Sequence, residues 1–204
     1  MKPLVSLLTA SMLTACAVPP SPALRPNADG GAGTRVQCQG AASAEHDVFT
    51  FTARFNLTLA LRPSEKTERQ FSGRLTWQRD AKGDHLLISD PLGRGIARLT
   101  HPVNGNFLLQ LADGSQREAA DPEQLLDEAL GAPLPLAELA AWVVACPGAG
   151  ALVEPDAAGR PWRVRESGWL LVYRYNDENA PRPARLDASL ESVLKLRLVF
   201  ENWE

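Results

Sequence analysis

From residue 49 to residue 61 every odd position is apolar: Phe49, Phe51, Ala53, Phe55, Leu57, Leu59 and Leu61. Thr50, Thr52, Arg54, Asn56 and Thr58 stand between them. Successive side chains on a strand point to opposite faces, so this segment is a long strand with one oily side and one wet side. The pattern returns in Phe71, Gly73, Leu75 and Trp77, in Phe107, Leu109 and Leu111, in Trp169, Leu171, Tyr173 and Tyr175, and in Leu194, Leu196, Leu198 and Phe200. Shorter strands are expected over residues 86–89 and 96–99. The separators carry turn chemistry: Pro63-Ser64-Glu65, Lys82-Gly83-Asp84, Asn104-Gly105-Asn106, Asp113-Gly114 and Asn176-Asp177. Successive strands should therefore pair antiparallel as a meander, with Asp113-Gly114 the strongest hairpin signal.

Two helices are predicted between these strands. Asp121-Pro122-Glu123-Gln124 offers an N-cap, a proline at the first helical position and a glutamine three residues on. Leu125, Leu126, Ala129 and Leu130 follow, and Gly131 stops the helix. Pro135 opens the second, whose stripe of Leu136, Leu139, Ala140 and Val143 ends before Pro147-Gly148. The fold class is α+β: a curved antiparallel sheet, apolar on one face, with helices available to cover that face. So large a sheet with so few helices must curl or leave apolar surface unpaired. On pattern alone the covered face is either a filled core or a cavity.

Composition narrows the function classes. The 204 residues are 45% hydrophobic and 22% charged, enough for one good core. Lys+Arg number 21 against 24 Asp+Glu, so there is no cationic excess with which to neutralise a phosphate backbone, and nucleic acid is not expected as a partner. His46, His85 and His101 are too scattered to form a metal site. There is no Gly-x-Ser-x-Gly elbow and no Gly-x-x-x-x-Gly-Lys loop. An enzyme, a metal and a cofactor are therefore not expected. Arg62, Lys66 and Arg69 fall in one hairpin loop and read as a solvated rim, with steering of an acidic carrier as the minority reading.

The N-terminus has a different character. Lys2 precedes the apolar run Leu4, Val5, Leu7, Leu8, Met12 and Leu13, too short to span a bilayer and laid out like a signal peptide. Leu13-Thr14-Ala15-Cys16 resembles the bacterial lipobox, which implies lipidation of Cys16 and cleavage before it. Residues 17–33 are rich in Pro, Ala and Gly, including Pro19, Pro20, Pro22, Pro26, Gly30, Gly31 and Gly33. Such a stretch reads as a tether that holds a domain about 20 to 25 Å from the membrane on average. The expected organisation is a lipoprotein signal peptide over 1–15, a lipid anchor and tether over 16–45, and a folded domain over 46–204. With Cys16 acylated, Cys38 and Cys146 remain in an oxidising compartment. A bridge between them would stabilise by roughly 4 to 5 kcal/mol, but the sequence leaves pairing open.

Phe71-Ser72-Gly73-Arg74-Leu75-Thr76-Trp77, Asp90-Pro91-Leu92-Gly93, Gly131-Ala132-Pro133-Leu134-Pro135-Leu136 leading to Trp142, Gly168-Trp169 with Tyr173, and Lys195-Leu196-Arg197-Leu198 ending in Asn202-Trp203 stand in an order that resembles the LolB family of outer-membrane lipoprotein receptors. The resemblance runs from about residue 49 to residue 203. It implies a half-open β-barrel whose apolar concave face is lidded by helices and accepts the acyl chains of lipoproteins. Such a protein is a monomer that takes cargo from a periplasmic carrier of similar fold and inserts it into the inner leaflet of the outer membrane. It also implies that Leu92 protrudes from its turn to aid insertion. Candidate cavity residues are Phe51, Phe55, Leu57, Leu75, Trp77, Leu109, Leu111, Trp142, Leu171, Tyr173, Leu196 and Leu198. The competing reading is a structural or assembly lipoprotein that binds protein partners and has no acyl cavity.

Overall fold

A computed structural model describes residues 48–60, 68–191 and 193–204. The first run of strands is β1 (Phe49–Leu59), β2 (Arg69–Asp80), β3 (Gly83–Ser89), β4 (Gly95–Pro102), β5 (Phe107–Leu111) and β6 (Gln116–Ala119). Helices α1 (Pro122–Leu130) and α2 (Leu136–Val143) follow, then β7 (Leu152–Pro155), β8 (Pro161–Glu166), β9 (Trp169–Arg174), β10 (Arg185–Leu190) and β11 (Leu194–Trp203). All eleven strands belong to one sheet, in the order β6-β5-β4-β3-β2-β1-β11-β10-β9-β8-β7. Every neighbouring pair is antiparallel. Two meanders are thus joined through β1 and β11, and the sheet ends at β6 and β7 without closing.

The period of two becomes rows of buried side chains. One row crosses the sheet through Phe51, Trp77, Leu86, Leu99 and Leu109. Another runs from Leu57 through Leu196, Ala188, Leu171 and Val164 to Val153. All of these are buried, and the polar residues between them face away. Gly73 lies opposite Phe55, where a Cβ would run into the backbone carbonyl of Ser89. Glycine is thus required where β2 and β3 approach most closely.

Strands β6, β7, β8 and β10 lie beyond the clear alternations of the sequence. Gln116-Arg117-Glu118-Ala119 has no oily face to announce it. Both β7 and β8 are short and hold a proline at one end, and β10 alternates through small and charged residues. The helices follow their caps: Asp121 Oδ1 accepts from Glu123 N at 2.9 Å, Pro122 occupies the first turn, and Gly131 closes α1 in a left-handed conformation at φ 68°. The α2 helix starts after Pro135 and stops before Ala145, which adopts φ 58°.

Candidate functional site

Phe55 and Leu57 from β1, Leu75 from β2, Leu86 and Ile88 from β3, and Leu196 and Leu198 from β11 form one wall of a cavity. Leu126 and Leu130 of α1, Leu136 and Leu139 of α2, and Leu134 between the helices form the other. Each wall follows from a periodicity: two on the strands, three to four on the helices. The enclosed room between the walls is about 40 Å³, and about 440 Å³ is reached only when space open to solvent is counted. No lining residue is charged or carries a side-chain hydrogen-bonding group. Ligand sites ordinarily add a few polar groups that fix orientation. This one offers only hydrophobic and dispersion contact, which suits a hydrocarbon chain of no particular register.

Polar contacts hold the walls in place. Glu166 Oε2 accepts from Trp142 Nε1 at 2.8 Å, and its Oε1 accepts from Gly148 N at 2.9 Å, so one carboxylate pins α2 and the chain after it to β8. The Trp142 and Trp169 rings meet at 5.2 Å. The Arg69 guanidinium packs on Gly131, at the carbonyl end of α1, where a cation is favoured by the helix dipole. Beside the wall residue Leu86, buried Asp84 accepts from Trp77 Nε1 at 2.8 Å and from Arg79 Nε at 2.7 Å. The Tyr173 hydroxyl is buried and has no hydrogen-bond partner among the described residues. Burial holds its ionisation well above the usual tyrosine range, helped by the nearby Tyr175 and Glu166.

Leu92 is 82% exposed at the tip of the β3–β4 turn. The turn is built by Asp90, whose Oδ1 accepts from Leu92 N and Arg94 N, both at 2.9 Å, and whose Oδ2 accepts from Arg94 Nε at 2.7 Å. These bonds, the backbone amide of Arg94 foremost, lower the Asp90 pKa below its usual value. The turn therefore keeps its anchor until the pH falls through that lowered value. Gly93 at φ 84° completes the reversal, leaving Leu92 the outermost apolar group.

Of the candidate residues, Phe55, Leu57, Leu75, Leu196 and Leu198 come together in the cavity wall. Phe51, Trp77, Leu109, Trp142, Leu171 and Tyr173 are buried elsewhere in the core and do not line the cavity, and Leu111, also outside the cavity, packs partly buried against that core. Leu86, Ile88, Leu126, Leu130, Leu134, Leu136 and Leu139 also line the cavity; the sequence shows their strands and helical stripes but not which strand each helix faces. Cys146 is disulfide-bonded. Cys16, Cys38, His46, Arg62 and Lys66 lie outside the described residues.

Fold and cavity together define an open-sheet protein whose interior suits hydrocarbon chains. Comparison with known proteins sharpens this. The family described as Outer membrane lipoprotein LolB matches residues 53–203. A protein of Dechloromonas aromatica (strain RCB) named Outer-membrane lipoprotein LolB is 35% identical over 158 residues, 76% of this chain and 81% of that one. Its namesake in Azoarcus sp. (strain BH72) is 40% identical over 136 residues, 65% and 69% of the two chains, and that of Thiobacillus denitrificans (strain ATCC 25259 / T1) is 37% identical over 150 residues, 72% and 79%. The chain belongs to the LolB family.

Proposed function

We propose that this chain is an outer-membrane lipoprotein facing the periplasm. It receives acylated lipoproteins from a periplasmic carrier of similar fold, holds their acyl chains between sheet and helices, and inserts them into the inner leaflet of the outer membrane. The observation that carries this reading is the cavity lined on both sides by apolar side chains alone, in a chain of the LolB family. A structural lipoprotein with a filled interior is not favoured.

In this reading the sheet is a half-open barrel and α1 with α2 is its lid. At rest the walls nearly meet, leaving about 40 Å³ between them, so an acyl chain is held by displacing the helices from the sheet. With so little room at rest, cargo enters by parting the helical leucines from the leucines of the sheet. Receipt from a carrier needs only a small preference: two more buried methylenes, at about 0.8 kcal/mol each, bias transfer roughly 15-fold. Residues 1–15 are the signal peptide, Cys16 carries the anchoring lipids, the segment to residue 45 is the tether, and Cys38 is the partner of the bonded Cys146. Leu92 touches the leaflet during insertion.

The test is direct. A chain beginning at Ala17, and so lacking Cys16, is incubated with a fluorescent fatty-acyl probe and with an acylated lipoprotein. A one-to-one complex that one displaces from the other is expected. Failure of both to bind overturns the reading.

A further inference from the structure

The wet face of the sheet is far from neutral, although the whole chain has a formal net charge of -3. Strand register places Arg174 beside Arg185, then Val199, Arg54 and Arg74 in one row from β9 to β2. The row continues to Ser89, at the end of β3. At about 4.8 Å per strand step it spans roughly 24 Å, and it ends at the turn that presents Leu92 and the 79%-exposed Arg94 side chain. Arg197 and Lys195 extend the cationic face on β11, and Arg165 extends it on β8.

Glu201 and Asp187 share this face and are each divided between two arginines, while Glu154 at its β7 edge pairs with Arg163 at 3.5 Å. Glu201 lies 3.2 Å from Arg54 and 3.0 Å from Arg74, while Asp187 lies 2.6 Å from both Arg185 and Arg197. Each cluster therefore keeps a net positive charge and holds its guanidinium groups at fixed places. Arg165, Arg174 and Lys195 are exposed and carry no ion pair among the described residues.

We propose that this outer wall docks on anionic phospholipid headgroups, laying the sheet against the leaflet with Leu92 at the leading edge. Charge complementarity and continuity with the Leu92 turn carry the assignment. A lipid surface presents phosphates without register, which matches a broad lattice of cations. A protein partner would need a cluster of aromatic or aliphatic anchors, and among the described residues of β8 to β11 and β1 to β3 only Trp162 and Leu87 are large apolar side chains that stand exposed, on strands far apart in the sheet order. The inference rests on the tethered-receptor reading for the presence of the membrane, not for the placement of the charges.

The lipid-anchored full chain is reconstituted in phosphatidylcholine vesicles, with or without one third phosphatidylglycerol, containing a dansyl headgroup probe. Energy transfer from the protein's tryptophans reports approach to the surface. It is expected to rise in the acidic vesicles and to fall back in high salt. R165Q/R174Q/K195Q breaks no ion pair and should keep the wild-type melting temperature. At about fivefold per cation removed, it should lower the docked-to-free ratio roughly a hundredfold in acidic vesicles and leave neutral ones unchanged. Equal transfer in both vesicle types overturns the proposal. So does a triple variant that docks normally but loses cargo receipt from an acidic carrier, which assigns the face to a protein. Binding of a fluorescent acyl probe, measured on the same samples, reports the receptor reading separately: docking without acyl uptake would refute that reading and leave this one standing.

Discussion

At the scale of single residues, Leu92 and Tyr173 are placed against the usual habits of their types. An exposed leucine at a turn tip gains nothing for the fold, so Leu92→Glu should change unfolding free energy by no more than about 0.5 kcal/mol. Acyl uptake should survive while deposition of cargo into vesicles is lost; a loss of several kcal/mol in urea unfolding would mean the leucine is core. Tyr173 has the reverse defect, a buried hydroxyl with no partner among the described residues. Removing it removes a desolvation penalty, so Tyr173→Phe should be neutral or stabilising by up to about 1 kcal/mol in the same measurement. Destabilisation by more than that would reveal a partner for the hydroxyl.

At the scale of elements, the sequence was legible where one physical signal acted alone. The long strands β1, β2 and β11 show because alternate positions are buried and their neighbours wet, and α1 shows because Asp121, Pro122 and Gly131 each perform one capping task. Strand β6 was hidden because it has no oily face, and β7, β8 and β10 because theirs amount to one or two positions, Val153, Val164, and Leu186 with Ala188, too few to stand out without their neighbours. The cavity was half legible for a related reason: periodicity says which side of a strand is buried but not which helix it faces, so Trp77 and Leu57 read alike until β1 is seen opposite α2. Gly73 reads as a weak apolar position, yet it is the point where β2 meets the Ser89 carbonyl. Gly73→Ala should cost about 1 to 3 kcal/mol in chemical denaturation, since backbone cannot rotate aside as a side chain can. A cost below about 0.5 kcal/mol would show that the strands separate easily there.

At the scale of the whole molecule, the Cys146 bond joins the end of the helical segment to a cysteine outside the described residues. If Cys38 is that partner, the bridge ties the two ends of a long loop. Reduction should then lower stability by about 2 to 5 kcal/mol. Cys146→Ser and Cys38→Ser should each show the same loss and become insensitive to reductant. Different losses in the two variants would break the assignment. A sheet that never joins β6 to β7 has a further consequence. The girth of a sealed barrel is dictated by its strand number and stagger, whereas here no ladder of hydrogen bonds must rupture for the circumference to grow. The vessel can take its calibre from its contents, accepting slim or bulky loads at similar cost.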